Sequence, residues 1–415
     1  MFRHYLLTAS KVFMRRKLFT AINLLCIVLT LVILLVVTAL LENAFYPTGV
    51  EGKSPRMLQV LMIEARTADG RGMSRNPLGF KIIAHYLKPL KNVERVSAVT
   101  MPETVSVYQQ GRVSELTMRH ADADYWKILD FTLLAGRLPT PDDDAQGRPV
   151  AVVNAATAAK LFPGVALDRV VGQAASVGGQ LFQIVGVVGN ALQLNAYADI
   201  WAPISSLPST NYQSQITGTF TALLLARSAA DLPRLKREVE QVAGTVQYDD
   251  PQQWPIVRLW ADSKLDLFAR MLLQRDGSDG GGTTVLAGVA ALMLLFMLLP
   301  ALNLVNLNMG RILERSAEIG VRKAFGATSM QLVGQLVLEN VLLCLAGGAL
   351  GLLCAKGVLV WLEGAGLIPY LHVELDLAVF GYGLLITLVF GLMSGVIPAW
   401  KMSRLDPVHA LKGAA

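Results

Sequence analysis

Charge is scarce in this sequence. Only 16% of its 415 residues are Asp, Glu, Lys or Arg, against roughly 25% in an ordinary soluble domain. With 53% apolar residues and a mean hydropathy of +0.46, that shortage argues against a wholly soluble chain and against a disordered one. Cysteine is scarcer still. The three, Cys26, Cys344 and Cys354, all fall in apolar stretches, which excludes a disulfide-stapled scaffold. The five histidines, His4, His85, His120, His372 and His409, show no metal-ligand spacing. A G-x-x-x-x-G-K-S/T phosphate loop and a G-x-S-x-G nucleophile elbow are both missing. The chain therefore carries no visible means of hydrolysing ATP and no catalytic constellation, and it is expected not to be an enzyme. No metal or directly bound cofactor is expected.

What is present is long apolar runs. Leu18–Leu41 carries no charge and exceeds the roughly 20 helical residues that cross a bilayer core. Further runs occupy 284–308, 332–362 and 377–397. The fold class expected is a multi-pass α-helical membrane protein of four spans. A large α/β domain, 42–283, lies outside the cytoplasm between the first and second. The first run is too long for a signal-peptide core and lacks a small-x-small site after it, so a retained anchor is expected.

Within 42–283, strands are expected at Met57–Ile63, Arg95–Thr100, Thr104–Gln109, Ser114–Met118, Val150–Val153, Leu181–Val188 and Phe220–Leu225. Helices are expected at Gly79–Leu90, Ala155–Phe162 and Leu232–Val242. Gly111-Arg112 reads as a hairpin turn, and Asp142-Asp143-Asp144 as a solvated loop rather than a cation site. Gly280-Gly281-Gly282 marks a flexible junction before the second apolar run.

The net charge of +6 has a location. Residues 42–283 hold 24 Lys or Arg and 24 Asp or Glu, so the whole surplus lies elsewhere. It gathers before the first run (Arg3, Lys11, Arg15, Arg16, Lys17), between the second and third (Arg311, Arg315, Arg322, Lys323) and in the tail 398–415 (Lys401, Arg404, Lys412). The loop 363–376 is acidic instead, with Glu363, Glu374 and Asp376. Basic flanks stay cytoplasmic. All three clusters agree on one topology, with both termini and the central loop inside and the large domain and the acidic loop outside. A neutral folded domain also excludes nucleic acid as the partner.

The loop 311–328 has helical order. Ala317, Val321, Ala324 and Phe325 share a face, Glu318 and Arg322 form a favourable i,i+4 pair, and Gly326 stands as a helix stop. Its sequence Glu314-Arg315-Ser316-Ala317-Glu318-Ile319-Gly320-Val321-Arg322-Lys323-Ala324-Phe325-Gly326-Ala327 resembles the coupling-helix signature of the FtsX/MacB-type permeases of ABC transporters. The tail from Asp406-Pro407 and the stretch Pro300-Ala301-Leu302-Asn303 with Asn306-Leu307 are similar to that family too. In the large domain Asp124-Tyr125-Trp126, Leu134-Ala135-Gly136-Arg137 and Ile184-Val185-Gly186-Val187-Val188 look like its periplasmic core domain.

The resemblance implies a permease subunit that couples ATP hydrolysis by a separate ATPase to movement of its outer domain. Export of a hydrophobic or peptide-like compound would be the outcome. Docking would fall to Glu314, Arg315, Glu318, Ile319, Gly320, Arg322, Lys323 and Gly326. The partners implied are an ABC ATPase dimer, which holds the ATP and magnesium, and a second permease copy, identical or paralogous. A periplasmic adaptor and an outer-membrane channel would complete the set. The outer domain would comprise one lobe of about 56–127 with 220–259 and an inserted lobe of about 131–214. In relatives the second membrane helix continues outward as a stalk. Here 277–282 interrupts it, and a hinge is expected. Mechanical transmission without transport, for control of a cell-wall hydrolase or for lipoprotein release, is the alternative within the family. A membrane receptor is the alternative outside it. Gly347, Gly351, Gly391 and Gly395 allow close helix approach within the chain or between copies. Asn303 and Asn306 read as interhelical hydrogen-bonding groups. Glu339 is expected near the cytoplasmic boundary, and Pro300 is expected to kink its helix.

Overall fold

The computed structural model describes residues 17–45, 49–109, 111–191, 193–277, 279–314 and 328–365, with scattered positions between 377 and 392. Contacts separate Glu42–Val285 from a second unit built of Met1–Leu41 and Leu286–Ala415.

Helix α1 runs over Lys17–Phe45. An uncharged run in lipid must satisfy its own backbone, which a helix does. Two of its threonine hydroxyls bond back to the same helix. The Thr30 and Thr38 hydroxyls donate to the carbonyls of Cys26 and Leu34, at 2.8 and 2.7 Å.

The outer unit begins with β1 (Met57–Val60), β2 (Met62–Arg66) and β3 (Met73–Pro77), then a helical turn α2 (Phe80–Ile82) that continues as a π-turn to Leu87. The hairpin β4 (Val93–Thr100), β5 (Glu103–Gln109) and β6 (Arg112–Ala121) follows, with α3 (Tyr125–Ile128), β7 (Leu133–Gly136) and α4 (Pro141–Ala145). Next come β8 (Val150–Asn154), α5 (Ala155–Leu161), α6 (Leu167–Val170), β9 (Ala174–Val177), β10 (Gln180–Val188) and β11 (Ile200–Pro203). The unit closes with β12 (Phe220–Ala226), α7 (Leu232–Ala243), β13 (Ile256–Leu259) and α8 (Lys264–Leu273).

Ten of these strands make one sheet in the order β1-β12-β4-β6-β11-β8-β10-β9-β5, with β7 attached to β10. Because β5 also pairs with β6, the six strands β6-β11-β8-β10-β9-β5 close on themselves. Closure removes the free edges of those strands. The ring encloses Val107, Leu116, Met118, Val153, Phe182 and Ile184. The strands β1, β12 and β4 cover a second core with α7, which buries Leu235, Val239 and Ala243 at four-residue spacing. The hairpin β5–β6, within the stretch 56–127, is thus built into the ring. A third cluster, around Tyr125, Trp126, Trp201 and Leu223, joins the two. The small sheet β13-β2-β3 stands apart from this path.

The turn at Gly111 is a two-residue hairpin loop, with Gln109 opposite Arg112 and Gly111 at φ +77°. Three expectations need correction. Met57–Ile63 is not one strand. The ladder to β12 ends at Val60, and the chain beyond Leu61 pairs with β13 and β3 instead. The helix expected to reach Leu90 ends by Leu87, ahead of Pro89, which has no N–H to extend it. Asp142-Asp143-Asp144 is not a solvated loop but the first turn of α4. Thr140 caps that turn reciprocally with Asp143. Asp143 is fully buried and receives Arg137 at 2.6 and 3.0 Å and Arg148 at 3.2 Å. Hydrogen bonding from Arg137 holds its carboxyl well below the usual range.

In the other unit, α9 spans Gly282–Glu314 and α10 spans Ser329–Gly364. Among the described residues, two helices are long and apolar enough to cross a membrane, Thr20–Phe45 and Val337–Gly364. The apolar segment Gly282–Leu298 opens α9. The fourth expected run lies mostly outside the described residues.

Candidate functional site

The segment that carries the chain from the outer unit to α9 is held by a network of polar contacts. Ser263 caps α8 and Asp266 returns the bond, and Lys236 pairs with Asp266 at 2.6 Å. At the other end Gln274 takes a left-handed conformation, φ 48°, which stops α8. Helix is therefore interrupted between Leu273 and Gly282. The described residues of this break are tied down. Arg270 forks onto Asp262 with two 2.8 Å bonds. Its remaining nitrogen donates to the carbonyls of Arg275 (3.1 Å) and Gly277 (2.7 Å).

The glycines of the break serve proximity. A Cβ on Gly280 would stand 2.5 Å from Asp266 Cβ, and one on Gly282 2.6 Å from Asp266 Oδ1. Gly281 sits at φ +83°. The junction expected from the sequence is present as an interruption of helix, and its glycines lie close against Asp266.

The small sheet holds the same segment from the side. Glu64 on β2 is fully buried and accepts Arg66 Nε at 2.6 Å and Arg75 Nη2 at 2.6 Å. Arg75 reaches on to Asp276 in the break, and it holds that carboxyl below its usual value. The Trp260 ring lies near two guanidiniums, Arg270 at 5.0 Å and Arg75 at 5.5 Å from its centroid.

A second buried link joins this region to the chain just beyond α1. Lys264, the first residue of α8, pairs with Glu51, which is fully buried. Burial pushes the Lys264 ammonium down to about 8. Glu51 also accepts the N–H of Asn195 at 2.7 Å. The Asn195 carbonyl accepts the Tyr125 hydroxyl at 2.8 Å, and the Trp201 indole donates to that hydroxyl at 3.3 Å. Burial raises the Tyr125 hydroxyl to about 12. Two motifs singled out in the sequence also meet here. Gly136 on β7 stands opposite Gly186 on β10, and a Cβ on Gly186 would lie 2.2 Å from the Arg137 carbonyl oxygen.

In the membrane unit, Gly347 and Gly351 on α10 lie against α1. A Cβ on Gly347 would stand 2.6 Å from Ile27 Cγ2, and one on Gly351 3.1 Å from Leu31 Cβ. Ile27, Leu31, Leu343 and Cys344 form the buried cluster there. Glu339 is 3% exposed in the same helix. An apolar cavity of about 420 Å³ opens between α1 and α9, lined by Leu29, Ile33, Val37, Leu292, Phe296 and Met297. Among the described residues, no charged side chain lines it.

The docking residues expected from the sequence are mostly beyond view. Glu314 ends α9, while Arg315, Glu318, Ile319, Gly320, Arg322, Lys323 and Gly326 lie outside the described residues, as do Gly391 and Gly395. Asn303 and Asn306 lie on the described backbone of α9. Among the described residues no group of His, Cys, Asp and Glu could hold a metal ion. The clasp of Glu64, Arg75, Trp260, Asp262, Arg270 and Asp276 escaped sequence reading. Its members are ordinary charged residues spread over some 200 positions, with no spacing to mark them.

Comparison with known proteins follows this division. A family model described as MacB-like periplasmic core domain matches residues 20–242, more than half of the chain. One described as FtsX-like permease C-terminal matches 290–407. The uncharacterized ABC transporter permease YknZ of Bacillus subtilis is 23% identical over 335 residues, 79% of this chain and 77% of that one. The macrolide export ATP-binding/permease protein MacB of Shewanella sp. is 24% identical over 365 residues, 84% of this chain. The chain spans 52% of that relative's length. The crystal structure of the periplasmic region of MacB from Actinobacillus actinomycetemcomitans covers 55% of this chain and 96% of its own, at 14% identity and a TM-score of 0.38.

Proposed function

This chain belongs to the FtsX/MacB-type permeases of ABC transporters, and from that premise we propose that it drives export of a hydrophobic or peptide-like compound from the periplasmic side. A separate ATPase dimer supplies the energy. It docks on the helix of Glu314, Arg315, Glu318, Ile319, Gly320, Arg322, Lys323 and Gly326 from the cytoplasm. A second permease copy completes the membrane part, and a periplasmic adaptor and outer-membrane channel extend the path. Four spans, cytoplasmic termini and an inner-membrane location complete the reading.

One observation carries it. Within Glu42–Val285, α8 is bonded to residues near both ends of the unit: Lys264 pairs with Glu51, and Gly282 packs on Asp266. A bonded path inside the outer domain therefore joins the residues that follow α1 to those that open α9. The apolar cavity between α1 and α9 and a relative named for macrolide export support an apolar cargo. The test is Arg322→Glu or Gly320→Pro in the full chain with its ATPase. Membrane insertion is expected to persist while stimulation of ATP hydrolysis and export are lost. Unchanged stimulation and export would overturn the proposal.

A further inference from the structure

Helix α8 has a face that the outer unit leaves largely exposed. Its inner face is conventional. Leu265 and Ala269, four residues apart, are buried, and Arg270 is turned to Asp262. The opposite face carries Phe268, Met271 and Leu272, which are 46%, 72% and 60% exposed. These positions are i, i+3 and i+4, so they form one continuous apolar stripe. Arg275 follows at i+7, beyond the end of the helix. A ten-residue helix with this much exposed apolar surface is costly in water, and large exposed apolar patches mark contact surfaces.

The level of α8 relative to the bilayer follows from its neighbours. The Phe268 ring packs on the Phe45 ring with centroids 5.3 Å apart. Phe45 is the last residue of the membrane-crossing segment Thr20–Phe45, one turn past the final residue of its uncharged run, Leu41. At its first turn, α8 touches the start of the next apolar helix. A Cβ on Gly282 would lie 3.2 Å from Leu265 Cγ and 2.6 Å from Asp266 Oδ1. The outer ends of two apolar helices thus both meet α8. A helix placed there, with Phe268, Met271 and Leu272 exposed along one side and its charged residues Lys264 and Arg270 paired on the inner side, presents an apolar face at the level of the membrane interface.

We infer that α8 is an interfacial helix whose Phe268–Met271–Leu272 stripe rests in the outer leaflet, with a phospholipid surface as its partner. The break after Leu273 then has a purpose. It lets the chain leave the bilayer plane and re-enter as α9 rather than continue outward as one helix. Lipid contact would hold the base of the outer domain at the membrane. Any movement of α1 or α9 would work against that anchored helix.

The experiment uses the full chain with Cys26, Cys344 and Cys354 replaced by serine. A single environment-sensitive fluorophore is placed at Met271→Cys, and at the exposed Ala230→Cys for comparison. The protein is reconstituted in phosphatidylcholine vesicles with and without headgroup-nitroxide lipid. Emission from position 271 is expected to shift to the blue, to be lost to the lipid nitroxide and to resist aqueous iodide. Position 230 should behave in the opposite way. Equal iodide quenching at the two positions would overturn the inference. So would protection at 271 without nitroxide quenching, accompanied by disulfide cross-linking of unlabelled Met271→Cys between copies, which would assign the stripe to a second copy. A label at Phe268→Cys provides a second reading of the same face. Its failure would leave the export proposal standing, since ATPase coupling is read separately.

Discussion

Replacing Arg270 by alanine tests whether the break before α9 is a fixed turn. Arg270 makes two 2.8 Å bonds to Asp262, bonds to two backbone carbonyls of the break, and faces Trp260. Both charged side chains of the pair are largely buried, at 12% and 7% exposure. Removing one partner of such a pair leaves a buried carboxylate unpaired, which typically costs about 3–5 kcal/mol. The lost carbonyl bonds to a charged donor add roughly 1.5–3 kcal/mol each at most, and solvent can replace those at the exposed end. A net loss of about 4 kcal/mol in the stability of the local structure is expected. Amide hydrogen exchange of peptides covering 274–281 in the full chain reads it directly. Arg270→Ala should raise exchange there by two to three orders of magnitude, since every 1.4 kcal/mol is about tenfold. Exchange in the ring strands β8 and β10 should stay unchanged. Arg270→Lys keeps the charge but loses the fork and should fall between. Pairing Arg270→Met with Asp262→Asn should recover part of the protection, because no charge is then left unpaired. If Arg270→Ala leaves exchange over 274–281 as it was, the clasp does not hold the break and the reasoning fails.

Three further outcomes follow from the packing and burial. Gly347→Ala places a methyl 2.6 Å from Ile27 Cγ2 and should lower the melting temperature in detergent through about 1–3 kcal/mol of overpacking. Ile27→Ala in the same chain should restore part of the loss, and no restoration would refute the helix contact. Gly186→Ala meets the Arg137 carbonyl oxygen at 2.2 Å, so β7 must leave β10, and a substantial drop in folded yield is expected. A yield equal to the parent would disprove the register. His120 is buried, and burial lowers its imidazole to about 4 from 6.5. The unfolded chain therefore takes up this proton first, so the contribution is complete above pH 6.5 and is lost as pH falls toward 4, about 3 kcal/mol in all. Denaturant melts of His120→Gln should show a shallower fall over that window, and parallel curves would contradict it.

Much of the outer domain was legible in local pattern. Alternation and β-branched content placed β4, β5, β8, β10 and β12 because each strand is half-buried or fully buried along its own length. Four-residue spacing placed α7 for the same reason. The strands that were missed, β2, β3, β7, β9, β11 and β13, are four or five residues long. Such pieces carry little periodicity, and their partners lie far away in sequence. Asp142–Asp144 was misjudged because three acids in a row look solvated until Arg137 and Arg148 are seen to converge on the middle one. The glycines at 280–282 marked the break in helix but not their contacts. Glycine signals permission, and only the neighbouring Asp266 shows whether that permission is used for motion or for contact.

The sequence by itself determined what depends on composition and order. Uncharged runs must leave water, and a neutral segment between them must fold on its own core. Neither of these needs a distant partner. Family membership was legible on the same terms, since its motifs are continuous stretches such as 314–327. The tertiary structure decided what depends on convergence. It closed β5 onto β6 and β9, it sent Gly347 and Gly351 to α1, and it bound the break to Arg270 and Arg75. It also left one face of α8 uncovered beside the ends of two apolar helices. Side chains separated by up to some 200 residues meet only after the chain has folded, and no spacing along it encodes that meeting.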